Sequence, residues 1–202
     1  MKRLAAALTM IAVSSPCLAE QRPEWAFVVP ATQALTPGTW IQVREAKRVP
    51  ASIVDPNSLT RTALAGRHTE LLGSRIVELP ENETALRNRD AHSILIAYVP
   101  EGSLAKGKIL VTRANEWGVA CTACHGNALN GHGGAPPLAG RPPTYLVRQL
   151  WDYQNGERRG SLAAPMRAIA ARMRVDEMLA VAAYLASLTP AAAIKFWSCR
   201  PK

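Results

Sequence analysis

The hydrophobic positions follow two patterns that change near residue 111. Before that point the apolar residues come in short runs rich in β-branched side chains, and Pro, Gly and Asn separate the runs. Short runs between turn residues are typical of β-strands. We therefore predict strands over residues 39–43 (TWIQV), 74–79 (SRIVEL), 93–99 (SILIAYV) and 106–111 (KGKILV).

From residue 116 onward the spacing is helical. Predicted helices cover Cys121–His125, Pro143–Asn155 and Asp176–Leu188, and Gly156 and Pro190 act as stop signals for the last two. The last helix carries apolar residues at helical spacing, which predicts one buried stripe of Met178, Val181, Ala182, Leu185 and Leu188. The fold class is thus mainly α, with a mostly β extension before the helical domain.

The first nineteen residues differ from both patterns. Lys2 and Arg3 precede an apolar run over residues 4–13, and small residues follow up to Ala19. This order is typical of a secretory signal peptide. The run is about half the roughly twenty residues that span a bilayer, so we expect cleavage rather than a transmembrane anchor. The mature protein is predicted to be periplasmic.

The net charge of the chain narrows the classes of partner that it is expected to bind. Without Lys2 and Arg3 the chain keeps 22 basic and 15 acidic residues, a net charge of +7. In an exported protein a basic balance argues against nucleic acid and for an acidic partner protein or a membrane surface. A solvated basic surface explains the charge equally well, because no basic run stands out.

The chain has four cysteines, and their positions limit which cysteine chemistry the protein can use. Cys17 lies in the predicted signal peptide, where Pro16 disfavours a lipid anchor. Cys199, near the C-terminus, is left as a free thiol or as one half of an intermolecular disulfide. Cys121 and Cys124 belong to the stretch ACTACHGNALNGHGG. A thioredoxin-like pair would need a βαβ setting, whereas a loop rich in Gly and Pro follows here. A zinc site would need a second pair of ligands, and no spacing supports one.

Covalent attachment of haem c accounts for both cysteines and the histidine in Cys-Xaa-Xaa-Cys-His. The thiols of Cys121 and Cys124 stand on one helical turn, so each can add across one haem vinyl group. His125 follows at the position of an axial ligand. Export also fits, because such haems are attached outside the cytoplasm. We predict one covalently attached haem c.

Beyond the motif, the chain resembles the class I c-type cytochromes in the order of its segments. These segments are CTACHG, APPLAG, TYLVRQLWDYQNGERRG, APM and AAYLASL. The likeness is to the second domain of bacterial periplasmic tandem (diheme) cytochromes, and it covers roughly residues 72–190. Those relatives carry two haem motifs and this chain carries one. We divide the chain into a signal peptide (1–19), a β-rich N-terminal extension (20–111), a cytochrome c domain (112–190) and a C-terminal tail (191–202).

The resemblance also implies the axial site. The backbone carbonyl of Pro136, in the Pro-x-Leu-x-Gly match, would accept a hydrogen bond from the second nitrogen of His125. Met166, in a Pro-containing loop, matches the sixth ligand of the family. Met173, at the start of the last helix, and His132 are the alternative candidates for this sixth ligand.

Other side chains have simpler explanations. Met178 lies in the apolar stripe, so core packing explains it better than ligation. His68 and His92 are expected on the surface or as satisfied core residues. Tyr145 and Trp151 are expected to pack on the haem.

The functional prediction follows from whether the sixth coordination position of the haem iron is filled. A haem with two protein ligands exchanges only electrons, so the methionine loop favours a one-electron carrier, not an enzyme. A small-ligand sensor or a peroxidase-like enzyme, the alternative, would need an open or labile sixth position. The expected partner is another periplasmic redox protein, such as a dehydrogenase or an oxidase, met through a small transient interface.

Overall fold

The computed structural model describes residues 40–56, 60–66, 68–90, 92–114 and 116–190. The predicted signal peptide, residues 20–39 and the tail with Cys199 lie outside the described residues. All described residues belong to one compact unit. Within them no helix combines the length and apolar character needed to cross a membrane.

Seven short strands and one short helix precede the helical part. They are β1 (Ile41–Glu45), β2 (Arg48–Pro50), β3 (Ser52–Val54), β4 (Arg61–Ala63), β5 (Thr69–Leu71), β6 (Val77–Pro80), α1 (Glu83–Arg87) and β7 (Leu95–Val99). The central sheet has the order β1-β7-β6, with β1 parallel and β6 antiparallel to β7. β2 pairs with β5 and β3 with β4, both antiparallel, which gives two two-stranded sheets; we call these four strands the ribbon.

Five helices follow: α2 (Ser103–Thr112), α3 (Cys121–His125), α4 (Pro143–Gln154), α5 (Ala164–Ala170) and α6 (Val175–Ser187). The helices predicted at α3, α4 and α6 are confirmed to within one residue at each end. Strands predicted over 39–43, 74–79 and 93–99 correspond to β1, β6 and β7. The mainly α fold with a strand-bearing N-terminal segment is therefore confirmed.

The strand predicted over residues 106–111 is wrong, because these residues lie inside α2. Local composition favours a strand there, with Ile109 and Val111 as β-branched residues, but tertiary packing outweighs such a propensity. Val111 is fully buried in the core that α2 shares with α6. Gly107 lies so close to α6 that a Cβ atom would come within 2.0 Å of the Ala180 carbonyl oxygen.

The main core surrounds α6. The predicted stripe is buried at Met178, Val181, Ala182 and Leu185, but burial extends around the helix and includes residues 177–183. α6 is covered by α2, by α4 and by strand β1. A helix packed on several sides needs apolar or small residues all round, which explains its many alanines.

Two carboxylates of the strands cap helices of the helical part. Glu45 Oε1 accepts the Leu104 N–H at 2.8 Å, at the start of α2. Glu78 Oε1 accepts the Thr144 N–H at 3.0 Å, at the start of α4. Neither helix has a capping side chain of its own. The β-rich segment therefore satisfies backbone groups that the helical part leaves open.

Candidate functional site

The site is built from α3 outward. His125 is the last residue of α3 and is only 5% exposed. Its Nδ1 lies 2.8 Å from the carbonyl oxygen of Pro136. A carbonyl can only accept, so Nδ1 carries the proton in this contact and Nε2 is left with its lone pair. The contact therefore orients the imidazole and leaves Nε2 as the nitrogen that can accept a bond.

A folded loop brings Pro136 back to His125. The Gly131 N–H donates to the His125 carbonyl at 3.0 Å. The Leu129 carbonyl accepts from Leu138 at 2.8 Å and from Ala139 at 3.1 Å. Leu129 is buried and has a positive φ of 58°, an uncommon conformation for a residue with a side chain. Several hydrogen bonds thus hold the carbonyl in place below the imidazole.

The two motif cysteines are not bonded to each other. Cys121 is half-buried and Cys124 is exposed. Burial raises the pKa of the Cys121 thiol to about 11. A reactive redox centre lowers the pKa of its attacking thiol, so the environment of Cys121 is unlike that of a thioredoxin-type pair.

The zinc interpretation finds no support either. Within the described part of the chain no group of three or more His, Cys, Asp or Glu residues could hold a metal ion. Cys199 lies outside the described residues. The donor set that the structure gathers at α3 is therefore two unbonded thiols and one imidazole nitrogen.

The methionines occupy different environments. Met173 and Met178 are buried in the main core. Met166 is half-buried on α5, so the loop predicted around it is a short helix that begins beside Pro165. His132 is exposed and forms a backbone bridge with Ala135. Of the four candidates, Met166 has a side chain that is neither in the core nor fully in solvent.

Gln154 links α4 to the end of α5, a role that its position in the sequence did not indicate. The side-chain amide of Gln154 donates to the Ala170 carbonyl at 2.9 Å and to the Met173 carbonyl at 2.8 Å. These two bonds tie the end of α4 to the end of the helix that carries Met166. A polar residue near a helix end has many uses, so only the fold identifies this one.

Large apolar side chains remain uncovered in the same part of the chain. Leu162 is 72% exposed, Trp151 49% and Tyr145 48%. Leu162 also lies against the loop of the motif, since a Cβ on Gly134 would come within 3.1 Å of its Cδ1. Exposed aromatic and aliphatic side chains of this kind are typical of a surface that covers an apolar group or a partner. His68 and His92 lie on the surface.

These features are typical of a domain that attaches a haem covalently. Residues 104–189 match the family model for cytochrome c. Cytochrome c-554(548) of Halomonas halodenitrificans is 37% identical over 70 residues, which cover 33% of this chain and 82% of that protein. The chain belongs to the cytochrome c family, and its cofactor is covalently attached haem c.

Two longer proteins match the same region. Cytochrome c-552 of Acidithiobacillus ferridurans is 43% identical over 74 residues, covering 37% of this chain and 31% of that protein. The thiosulfate dehydrogenase electron acceptor of Stutzerimonas stutzeri is 44% identical over 69 residues, covering 34% of this chain and 32% of that protein. The chain thus spans about a third of the length of each of these relatives.

Proposed function

We propose that the protein is a periplasmic c-type cytochrome with one haem, which carries single electrons to or from another redox protein. The observation that carries the proposal is the oriented imidazole of His125, whose second nitrogen is held by the Pro136 carbonyl at 2.8 Å. A histidine fixed in this way is an axial ligand with a defined tautomer and raised basicity. The half-buried Met166 on α5 would supply the second ligand to the iron.

Four side chains would hold the haem. Cys121 and Cys124 would form the two thioether bonds, each by addition of its S–H across one vinyl group. His125 and Met166 would bind the iron. The group itself supplies reversible one-electron exchange, and a methionine sulfur raises its potential relative to a second histidine. The protein's part would be to supply both ligands to the iron and apolar surroundings for the haem.

The number of haems and the location rest on the sequence. The chain contains one Cys-Xaa-Xaa-Cys-His motif. The first nineteen residues have the order of a signal peptide, which would export the chain to the compartment where such haems are attached. We place the haem domain at residues 112–190, with α2 packed on it, and the β-rich extension before it.

The partner is proposed to be a periplasmic redox protein, a dehydrogenase or an oxidase, with an acidic docking surface. Between residues 141 and 174 the chain has seven arginines against two acidic residues. All seven are exposed: Arg141, Arg148, Arg158, Arg159, Arg167, Arg172 and Arg174. The same segment contains Met166 and the exposed Leu162, so basic and apolar side chains occur together in it. Arginine and aromatic residues are enriched at protein interfaces.

Replacement of the sixth ligand tests the carrier. In the purified holoprotein Met166→Ala should keep the haem, because His125 and both thioethers remain. It should lose the weak sulfur-to-iron absorption band in the far red, bind carbon monoxide readily and show a lower potential. Met173→Leu, a volume-conserving change in the core, is the matched control and should keep the band.

The opposite results decide against the proposal. Rapid carbon monoxide binding by the unmodified protein would indicate an open sixth position and the sensor or peroxidase-like alternative. Loss of the sulfur band in Met173→Leu, with its retention in Met166→Ala, would move the ligand to Met173. Release of haem in acid acetone would refute covalent attachment.

A further inference from the structure

Gly131 occupies the centre of the loop between the haem motif and Pro136. Its φ is +88°, a conformation that residues with side chains rarely adopt. Its N–H donates to the carbonyl of His125 at 3.0 Å. Gly131 is therefore tied directly to the backbone of the proposed axial ligand.

The chain folds back closely over this glycine. A Cβ atom built on Gly131 would lie 2.9 Å from the backbone nitrogen of Pro137, 3.0 Å from the carbonyl oxygen of Ala135 and 3.2 Å from the carbonyl carbon of Pro136. The first distance is shorter than real Cβ contacts, the other two are tighter than most, and all three partners are backbone atoms. A side chain at Gly131 could therefore fit only if this backbone moved.

The crowded peptide is the one that contacts the imidazole. The bond between the Pro136 carbonyl carbon and the Pro137 nitrogen belongs to the same peptide whose oxygen lies 2.8 Å from His125 Nδ1. Proline fixes φ on both sides of that peptide, so it cannot simply rotate away from an added atom. Displacement of the peptide would lengthen or misalign the bond to His125.

We infer that Gly131 is a positioning residue for the axial histidine: the absence of a side chain at Gly131 lets the Pro136 carbonyl reach His125 Nδ1. The inference rests on the proposed function in that it takes His125 as the iron ligand. Hydrogen bonding at the second nitrogen makes a ligating histidine more basic. Gly131 thus sets, through Pro136, how strongly His125 donates to the iron.

Gly133 provides a matched control two residues away. It also has a positive φ, +55°, but a Cβ built on Gly133 meets nothing within 4 Å. Gly131→Ala and Gly133→Ala therefore both place alanine in a left-handed conformation. The contact with the Pro136–Pro137 peptide occurs in Gly131→Ala alone.

Two measurements on the holoprotein separate the variants. In Gly131→Ala the His125 Nδ1 proton should exchange with solvent roughly fivefold faster by NMR, the factor that corresponds to one typical hydrogen bond. The reduction potential should rise, because a less basic imidazole stabilises the oxidised iron less. Gly133→Ala should leave both quantities unchanged. Equal behaviour of the two variants, or unchanged exchange in Gly131→Ala, would overturn the inference.

A second variant covers the case in which Gly131→Ala fails to retain haem. Pro137→Ala frees φ after the crowded peptide, so Gly131→Ala/Pro137→Ala should regain haem and show the raised potential. A double variant that still lacks haem, beside a normal Gly133→Ala, would show that Gly131 serves folding only and would refute the positioning role. Failure of the carrier proposal would be seen separately, as rapid carbon monoxide binding by the unmodified protein.

Discussion

The β-rich part and the helical part of the molecule are built on different principles. In the ribbon of β2–β5 several apolar side chains are exposed, among them Ile53, Val54 and Leu71, and its small core is shared with β6. The helical part buries a continuous core around α6. Charge differs as well: residues 40–102 carry eight basic and eight acidic residues, whereas residues 103–190 carry ten and five.

This difference assigns separate tasks to the two parts. The helical part holds the imidazole, both thiols, the candidate methionine and all of the excess positive charge between residues 40 and 190. The β-rich part is electrically balanced and contributes Glu45 and Glu78 as caps to the helices. Three predictions test this division, beginning with the largest expected effect.

The contact between α2 and α6 should be the most sensitive point of the helical core. In an ordinary helix a change from Gly to Ala stabilises, by about 1 kcal/mol. At Gly107 the new Cβ would lie 2.0 Å from the Ala180 carbonyl oxygen, so Gly107→Ala should instead destabilise by about 3 kcal/mol. Urea unfolding followed by far-UV circular dichroism measures the effect.

Gly160→Ala is the control for this prediction. Nothing lies within 4 Å of a Cβ at Gly160, and its φ is not in the left-handed region. The unfolding free energy of the Gly160→Ala variant should differ from that of the parent protein by less than about 0.5 kcal/mol. A Gly107→Ala variant as stable as the parent protein would show that the two helices can separate at little cost.

Gly107 also illustrates what the sequence could and could not predict. The segment around it reads as a strand because its apolar residues are β-branched, and only the contact with α6, more than seventy residues away in the sequence, makes it helical. α6 itself was predictable, since its apolar repeat lies within one continuous stretch. The ribbon strands were missed because each has three residues, too few for an alternation to show.

The same distinction holds at the candidate site. The cysteines and His125 are neighbours in the sequence, so their spacing alone predicts their chemistry. The positioning groups are distant: Gln154 reaches Ala170 and Met173 only in the folded chain. The close approach of Gly131 to the Pro136–Pro137 peptide depends on a turn whose shape the sequence does not specify.

The uneven charge predicts an uneven effect on partner association. Arg167→Glu with Arg172→Glu reverses two charges in the arginine-rich segment, and Arg44→Glu with Arg87→Glu makes the same change of net charge in the β-rich part. With an acidic redox partner at low salt, the first pair should lower the association rate by about tenfold and the second by less than about twofold. Stopped-flow electron transfer at several salt concentrations measures both rates.

Equal losses of association rate for the two pairs would mean that only the net charge of the protein affects association. The arginines of residues 141–174 would then be an ordinary solvated surface. High salt should remove the difference, because an ionic strength of 1 M screens charges beyond about 3 Å. Binding of the protein to anionic vesicles that is lost with the first pair, without any change in electron transfer, would favour a membrane surface over a protein partner.

The smallest expected effect concerns the caps that join the two parts. Glu78 accepts a backbone N–H at the start of α4, where Pro142 offers no capping group and a carboxylate also favours the positive end of the helix. Glu78→Ala should therefore cost about 1 kcal/mol of unfolding free energy, as the loss of a helix cap does. Glu81→Ala, at an exposed position three residues further along the chain, should cost less than about 0.5 kcal/mol.

If the two substitutions cost the same free energy of unfolding, β6 lies beside α4 without stabilising it. If Glu78→Ala costs the expected amount, and amide exchange speeds up in the first turn of α4 but not in α6, then the β-rich part stabilises the helix that follows the Pro136 loop.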